Sequence, residues 1–209
     1  MKIAVIACNG RVGRLIVEEA LNKGYDVVGF GTGENKSKTT KYINKNALDL
    51  TQADLSSFDA VVDAVGGWTS DTIPNITNVI IHLADILSGT NVRLYVSGGA
   101  GSLFVNKERT LTVDMGPDFP DSWKPLSKAH GEGLAYLRKA NNLNWTYISP
   151  ACNFIADGAK TGEYQLGGEE LILNKNGEST MSYADFALAF IDVIESGKYN
   201  KERISVNSK

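Results

Sequence analysis

Apolar and polar residues alternate along this chain in two rhythms. Short apolar blocks of strand length are followed by stretches in which apolar positions recur three and four apart, the spacing of one helix face. Ile3 to Ile6 is the first block, and Val12, Leu15, Ile16 and Ala20 form the first helical stripe. Asp26 to Gly31 (DVVGFG) is a second strand, and Tyr42 to Leu48 supplies a short third one. Asp49-Leu50-Thr51 then turns into a small helix over Gln52 to Ser57, and a buried strand starting at Asp59 runs into Gly66-Gly67. Ile76 to Leu87 is helical, with Ile76, Val79, Ile80, Leu83 and Leu87 on one face and His82 off it, so His82 receives no role. Asn91 to Ser97 is the next strand and opens into Gly98-Gly99-Ala100-Gly101-Ser102.

Strands, helices and glycine-rich loops at the strand ends have by then alternated four times, which predicts an α/β fold with a doubly wound parallel sheet. Phe104 to Trp123 is irregular, broken by Pro117 and Pro120, with a turn at Asp114 to Pro117. Pro125 suits the first turn of a helix reaching Asn141, and Asn144 to Ser149 is a sixth strand closed by Pro150. Beyond Ala151 the alternation loosens. Glu163 to Leu166 and Leu171 to Leu173 can pair around Gly167-Gly168, and Asn176-Gly177 marks a turn. Ser182 with Asp185 marks a helix start, Ala187, Phe190, Ile191 and Ile194 give its apolar stripe, and Arg203 to Val206 is a last strand. No repeat or linker divides the chain, so residues 1–209 read as one domain in which 151–209 form a small lobe over the site.

Composition narrows the function classes. A chain of 209 residues, 43% hydrophobic and 22% charged, can bury one large core. Net charge of −3 and the lack of a like-charge block argue against a nucleic-acid partner. No apolar stretch reaches membrane-spanning length, and the opening apolar run is too short for a secretion signal, so the expected location is cytoplasmic and no membrane partner is expected. Cys8 and Cys152 are far apart without metal spacing, which reads as two reduced thiols and no metal site.

The chemistry gathers at the first turn. Ala7-Cys8-Asn9-Gly10-Arg11-Val12-Gly13 joins a strand to a helix, as a diphosphate-binding turn does: backbone must approach the phosphates closely, and free N–H groups at a helix start must face their charge. In the spacing G-x-x-G-x-x-G, Gly10 and Gly13 fill the second and third places while Ala7 replaces the first, which an alanine can do only if its φ stays negative. No acid stands at the end of the second strand, where one would take the ribose 2′-hydroxyl, and Thr32, Lys36 and Lys38 follow. They can hold a 2′-phosphate or simply form a solvated loop; the pattern leans toward NADP over NAD. Asp49, Gly66, Gly67 and Gly98 lie at later strand ends where backbone and side chains can meet the same cofactor. Ser97 and Ser102 can donate to an acceptor ring or cap a tight glycine loop.

The segments ACNGRVG, YVSGGAGSL, NWTYISPACNF, TGEY and MSYADFALAFIDVIE, together with the helix bearing Lys128 and Glu132, run in order from end to end. This set resembles the atypical short-chain dehydrogenase family of proposed NADH-flavin reductases, related to biliverdin reductase B and to NmrA-like proteins. The resemblance implies a Rossmann domain with a small C-terminal lobe, a bound nicotinamide dinucleotide and, for some members, reduction of free flavin. Parent enzymes of this family use a Ser with a Y-x-x-x-K pair. Lys128 stands where that Lys should be, as a ribose contact, but Lys124 stands where the Tyr should be. A ketone reductase needs that acid, whereas hydride transfer to an extended flavin ring spreads the new charge and asks mainly for proximity and orientation.

Two functions stay open from this reading. One is an NAD(P)H-dependent reductase of FMN, FAD or a similar flat acceptor such as a quinone, with Ser97 and Ser102 as donors and Trp123 and Phe154 as flat surfaces. The other is a non-catalytic, NAD(P)-binding redox sensor of the NmrA-like type. Cys152, with no His near it in sequence, receives no nucleophilic role.

Overall fold

In β1 (Lys2–Ile6), Ile3 and Val5 point to one face, Ala4 and Ile6 to the other, and all four are buried. A strand apolar on both faces must be covered on both, which places it inside a parallel sheet with helices on either side. The computed structural model describes residues 1–209 and shows that arrangement. After β1 come α1 (Arg11–Asn22), β2 (Asp26–Gly31), β3 (Lys41–Asn44), α2 (Gln52–Leu55), β4 (Ala60–Asp63), α3 (Pro74–Leu87), β5 (Arg93–Ser97), α4 (Lys124–Lys139) and β6 (Asn144–Ser149). The chain continues through β7 (Asn153–Ile155), β8 (Tyr164–Gly167), β9 (Thr180–Ser182), α5 (Tyr183–Ser196) and β10 (Glu202–Ser208).

The main sheet has eight strands in the order β3-β2-β1-β4-β5-β6-β10-β8, parallel throughout except for the β10–β8 pair. This is a Rossmann-type α/β fold. One core joins Ala4, Ile6, Val61, Leu94, Val96 and Trp145 to α2, α3 and α4; the other joins Ile3, Val5, Val62, Tyr95 and Ile204 to α1 and α5. Each core lies on one sheet face, as the period-two alternation requires. The strand order reverses between β1 and β4, so the connections leaving their carboxyl ends run to helices on opposite faces of the sheet and leave a crevice there. No helix is long and apolar enough to cross a membrane.

The predicted elements differ from the observed ones at their ends and in the last third. β3 stops at Asn44 rather than continuing to Leu48, α2 ends at Leu55, and α3 begins two residues early at Pro74. Leu171 to Leu173 is not a strand: β8 pairs antiparallel with β10, Tyr164 opposite Ser208 and Gly167 opposite Ser205. The open edge of β10 offers a full ladder, and Ile172 instead lays its side chain against Gly167. β7 and β9 form a separate parallel ribbon that the pattern does not announce. Ser182 caps α5 through Asp185 N–H at 3.0 Å, but the Asp185 carboxylate turns away to accept from Thr161 and Gly162.

Candidate functional site

The opening turn sits at the crevice between β1 and β4. Ala7 leaves β1 with φ of 58°, so the expected negative φ is corrected: alanine here occupies the left-handed region, at a cost of about 1–2 kcal/mol. That conformation brings the Ala7 carbonyl under Gly10 N–H at 2.9 Å and closes the turn. Gly10 is the extended N-cap of α1, and no side chain caps the helix. The first N–H groups of α1, from Arg11, Val12 and Gly13, have no partners within the helix by its geometry. Left uncapped at the positive end of the helix, they can take an anion. Gly13 has a separate task, since a β-carbon there would lie 2.4 Å from the Ala7 carbonyl oxygen. Only glycine lets α1 pack this close to the turn.

A cleft of about 400 Å³ opens beside this turn. Ile6, Val65 and Val79 give it an apolar floor, Ala7, Asn9 and Gly10 one edge, and Gly31, Thr32 and Lys45 to Leu48 the opposite wall. Lys45 is the one charged side chain in the lining; its Nζ lies 2.7 Å from Asp54. Lys45 and the Thr51 hydroxyl and N–H, which complete the α2 capping box, hold the Asp54 carboxyl down to about pKa 2. Size, glycine turn and uncapped helix start together suit an adenosine diphosphate moiety.

Of the sequence-predicted residues, Ala7, Asn9, Gly10 and Thr32 line the cleft. Arg11 is exposed on the first turn of α1, with Val12 and Gly13 behind it. Lys36 is exposed in the loop after β2, and Lys38 pairs with Glu18 at 2.7 Å. Asp49 is exposed at the end of a short 3-10 turn, beyond the Leu48 that the cleft includes. Gly66 is exposed after Val65, while Gly67 is buried against the backbone of Thr72. Lys45 to Leu48, Val65, Asn75 and Val79 went unpredicted. The wall was hidden because Tyr42 to Leu48 reads as one continuous strand.

The loop after β5 is held from three sides. A β-carbon on Gly98 would lie 2.1 Å from the Tyr147 ring, and Gly99 N–H donates to the Tyr147 hydroxyl at 3.0 Å. The same hydroxyl lies 3.2 Å from His130 Nδ1. Burial pushes the Tyr147 hydroxyl well above its usual range and holds His130 down near 4, so both stay neutral. Gly101 packs on Ser127, whose hydroxyl donates to Asp114 at 2.6 Å. Ser102 accepts from buried Arg203 through both its carbonyl and its hydroxyl oxygen at 2.9 Å. Arg203 also binds Glu169, which pairs with Arg138 of α4. Ser97 is half-buried at the strand end.

On α4, Lys128 is 77% exposed and 3.7 Å from Glu132, and Lys124 pairs with Asp121 in solvent at 2.6 Å. Trp123 is half-exposed and edges onto Phe119; Phe154 packs tilted by 41° against Tyr183 at 4.0 Å between centroids. Asp63, at the end of β4, is buried in the row of Ile6 and Val96, and burial raises its carboxyl to about 7 against a hydrogen bond from Val65 N–H. The cysteines are unpaired.

Comparison with known proteins places these features in a context. Residues 8–196 match the family model described as NAD(P)H-binding. The chain is 34% identical to the uncharacterized protein YwnB of Bacillus subtilis (strain 168), covering 100% of this chain and 99% of that one. A crystal structure from Streptococcus pneumoniae TIGR4, of a proposed NADH-flavin reductase, is 47% identical with a TM-score of 0.97 over 100% of both chains. A Lactobacillus casei protein is 30% identical with a TM-score of 0.88, covering 100% of this chain and 99% of that one.

Proposed function

The chain belongs to the NAD(P)H-binding family, and on that footing we propose that it is an NAD(P)H-dependent reductase that delivers hydride to free flavin or a similarly flat acceptor such as a quinone. The observation that carries the cofactor half of this reading is the uncapped start of α1 over a close-packed glycine turn beside a cleft of about 400 Å³. The bound nicotinamide supplies the hydride. The chain's own residues bind and orient: N–H groups of Arg11 to Gly13 hold the diphosphate, Thr32 and Lys36 face the ribose 2′ position, and Asp49 marks the adenine side. Gly66 and Ser97 line the path toward the reacting ring, with Gly67 and Gly98 packed behind them against Thr72 and Tyr147 so that the backbone there can come close to the cofactor. Lys128, loosely paired and exposed beside the β5 loop, is free to take a ribose hydroxyl.

The acceptor half rests on what stands in place of an acid. Lys124 occupies the parent enzymes' Tyr position and faces solvent, and Tyr147 is fully buried with its hydroxyl engaged by Gly99 and His130. With the Lys124 ammonium turned to solvent against Asp121, a developing alkoxide would find no acid aimed at it from there, while a flavin needs none from the protein at that place. Ser97 serves as a neutral donor on the acceptor side, and Ser102, whose hydroxyl oxygen already accepts from Arg203, keeps its proton to give; the part of residues 151–209 outside α5, β8 and β10 is the neighbouring lobe. A cleft wall without a carboxylate supports a preference for NADPH. Free thiols suit a reducing cytoplasm.

The test is oxidation of NADPH and NADH by the purified protein with FMN, FAD, a quinone and a secondary alcohol or its ketone as partners. Flavin- or quinone-dependent loss of the dihydronicotinamide absorbance, with little turnover of ketone or alcohol, is expected. Tight dinucleotide binding without turnover of any acceptor would replace the reductase reading with that of a redox sensor.

A further inference from the structure

Asn9 lies in the glycine turn, yet its side chain is spent on another segment. Its Nδ2 donates to the Thr32 carbonyl at 3.1 Å and the Glu34 carbonyl at 3.0 Å and lies 3.1 Å from the Tyr42 hydroxyl. Its Oδ1 accepts from Lys36 N–H at 2.8 Å. The Tyr42 hydroxyl in turn donates to the Gly33 carbonyl at 2.9 Å, and Gly33 N–H donates to Asn44 at 3.2 Å. Thr32, Gly33, Glu34 and Lys36 are exposed and lie outside every strand. One amide therefore holds most of this loop against the turn. Only a side chain with both a two-proton donor and an acceptor can do so.

The loop carries the groups within reach of a ribose 2′ substituent. Thr32 lines the cleft, and Lys36 is the cation whose backbone Asn9 pins beside it. Lys38 is already engaged by Glu18, and Lys45 by Asp54. Glu34, the acid that could instead accept from a 2′-hydroxyl, has its carbonyl tied to the same amide. We infer that Asn9 is the positioning residue for cofactor choice: by fixing the loop of Thr32, Glu34 and Lys36, it makes the cleft select a ribose 2′-phosphate over a 2′-hydroxyl. This inference rests on reading the cleft as a dinucleotide site.

The experiment titrates 2′,5′-ADP and 5′-AMP, which differ in the 2′-phosphate, into the wild type, Asn9→Ala, Asn9→Asp, Lys36→Ala and the Asn9→Ala/Lys36→Ala pair. A charge-assisted phosphate contact on an exposed loop sets the wild-type preference for 2′,5′-ADP at about tenfold. Asn9→Ala is expected to bring the ratio to within about twofold by lowering 2′,5′-ADP affinity more than 5′-AMP affinity. Asn9→Asp, which loses the donor and adds a negative charge, lowers the ratio further. Lys36→Ala lowers it too, and has no added effect once Asn9 is alanine, because both act through one contact. A wild-type ratio in Asn9→Ala, or equal losses for both nucleotides, would overturn the inference, the latter by showing a direct contact or general damage. Lys36→Ala retaining the wild-type ratio overturns it as well, even if the Asn9 variants fail to fold. A wild type that binds neither nucleotide sinks the dinucleotide reading itself. A wild type that binds both equally sinks the phosphate preference and this inference with it.

Discussion

Replacing Gly13 by alanine places a methyl group where the structure has no room for one. A β-carbon there would meet the Ala7 carbonyl oxygen at 2.4 Å and the Ala7 carbonyl carbon and Cys8 Cα at 3.1 Å each. Ordinary carbon-to-oxygen approach is about 3.3 Å, so α1 and the turn must part by roughly 0.9 Å. The obstacle is backbone inside a closed turn, which cannot rotate aside as a side chain would. Overpacking of this kind costs about 1–3 kcal/mol, and alanine recovers about 1 kcal/mol over glycine inside a helix. Taking the upper end because the contact is rigid leaves a net loss of about 2 kcal/mol, or a fall in Tm of roughly 4–8 °C for a chain of this size. Gly10 is the control. Its added β-carbon would sit 3.2 Å from the same oxygen on an exposed residue, so Gly10→Ala should shift Tm by less than about 2 °C while its methyl obstructs the diphosphate. Thermal unfolding by circular dichroism, with dinucleotide titration on the same samples, reads both effects. Gly13→Ala melting at or above the wild type, or Gly10→Ala proving the more destabilised, would refute the division of labour between the two glycines.

Asp63 has its folded-state pKa raised to about 7, so its favourable contribution is complete below the unfolded value near 4 and is lost as pH rises through 7. Asp63→Asn keeps the acceptor for Val65 N–H and should gain more Tm over wild type at pH 8 than at pH 5; equal gains would show that the carboxyl is already ionised. His130, held near 4 by burial, has the opposite sign and loses stability as pH falls below its unfolded value, so the variant comparison rather than the wild-type profile isolates Asp63. Lys124→Ala should leave flavin turnover largely intact because its ammonium is paired with Asp121 in solvent, and an abolished rate would assign that position a part in proton transfer. Lys128→Ala should weaken dinucleotide affinity at unchanged Tm, and unaltered affinity would leave Lys128 as a solvated partner of Glu132.

Much of this protein follows from the sequence by itself. The alternation of apolar blocks with helical stripes dictates the parallel sheet and its two helical layers, because the central strands β1, β2, β4, β5 and β6 carry apolar residues on both faces and the long helices carry an apolar stripe. Gly10 and Gly13 mark the closed strand-to-helix turn because the spacing reports a local backbone demand. Tertiary structure decided what local rules cannot reach. The strain at Ala7 is accepted because the closed turn and the packing of α1 impose it on alanine. The pairing of β8 with β10 depends on an edge formed by residues some forty positions later. Asn9 reads as a ligand contact until the loop after β2 folds back onto it, and Ser102 reads as a free hydroxyl until Arg203 arrives from the far end of the chain. Periodicity encodes which face of an element is buried, but it does not encode which distant polar group comes to rest against a given side chain. That is settled only when separate elements pack and every buried donor must find an acceptor.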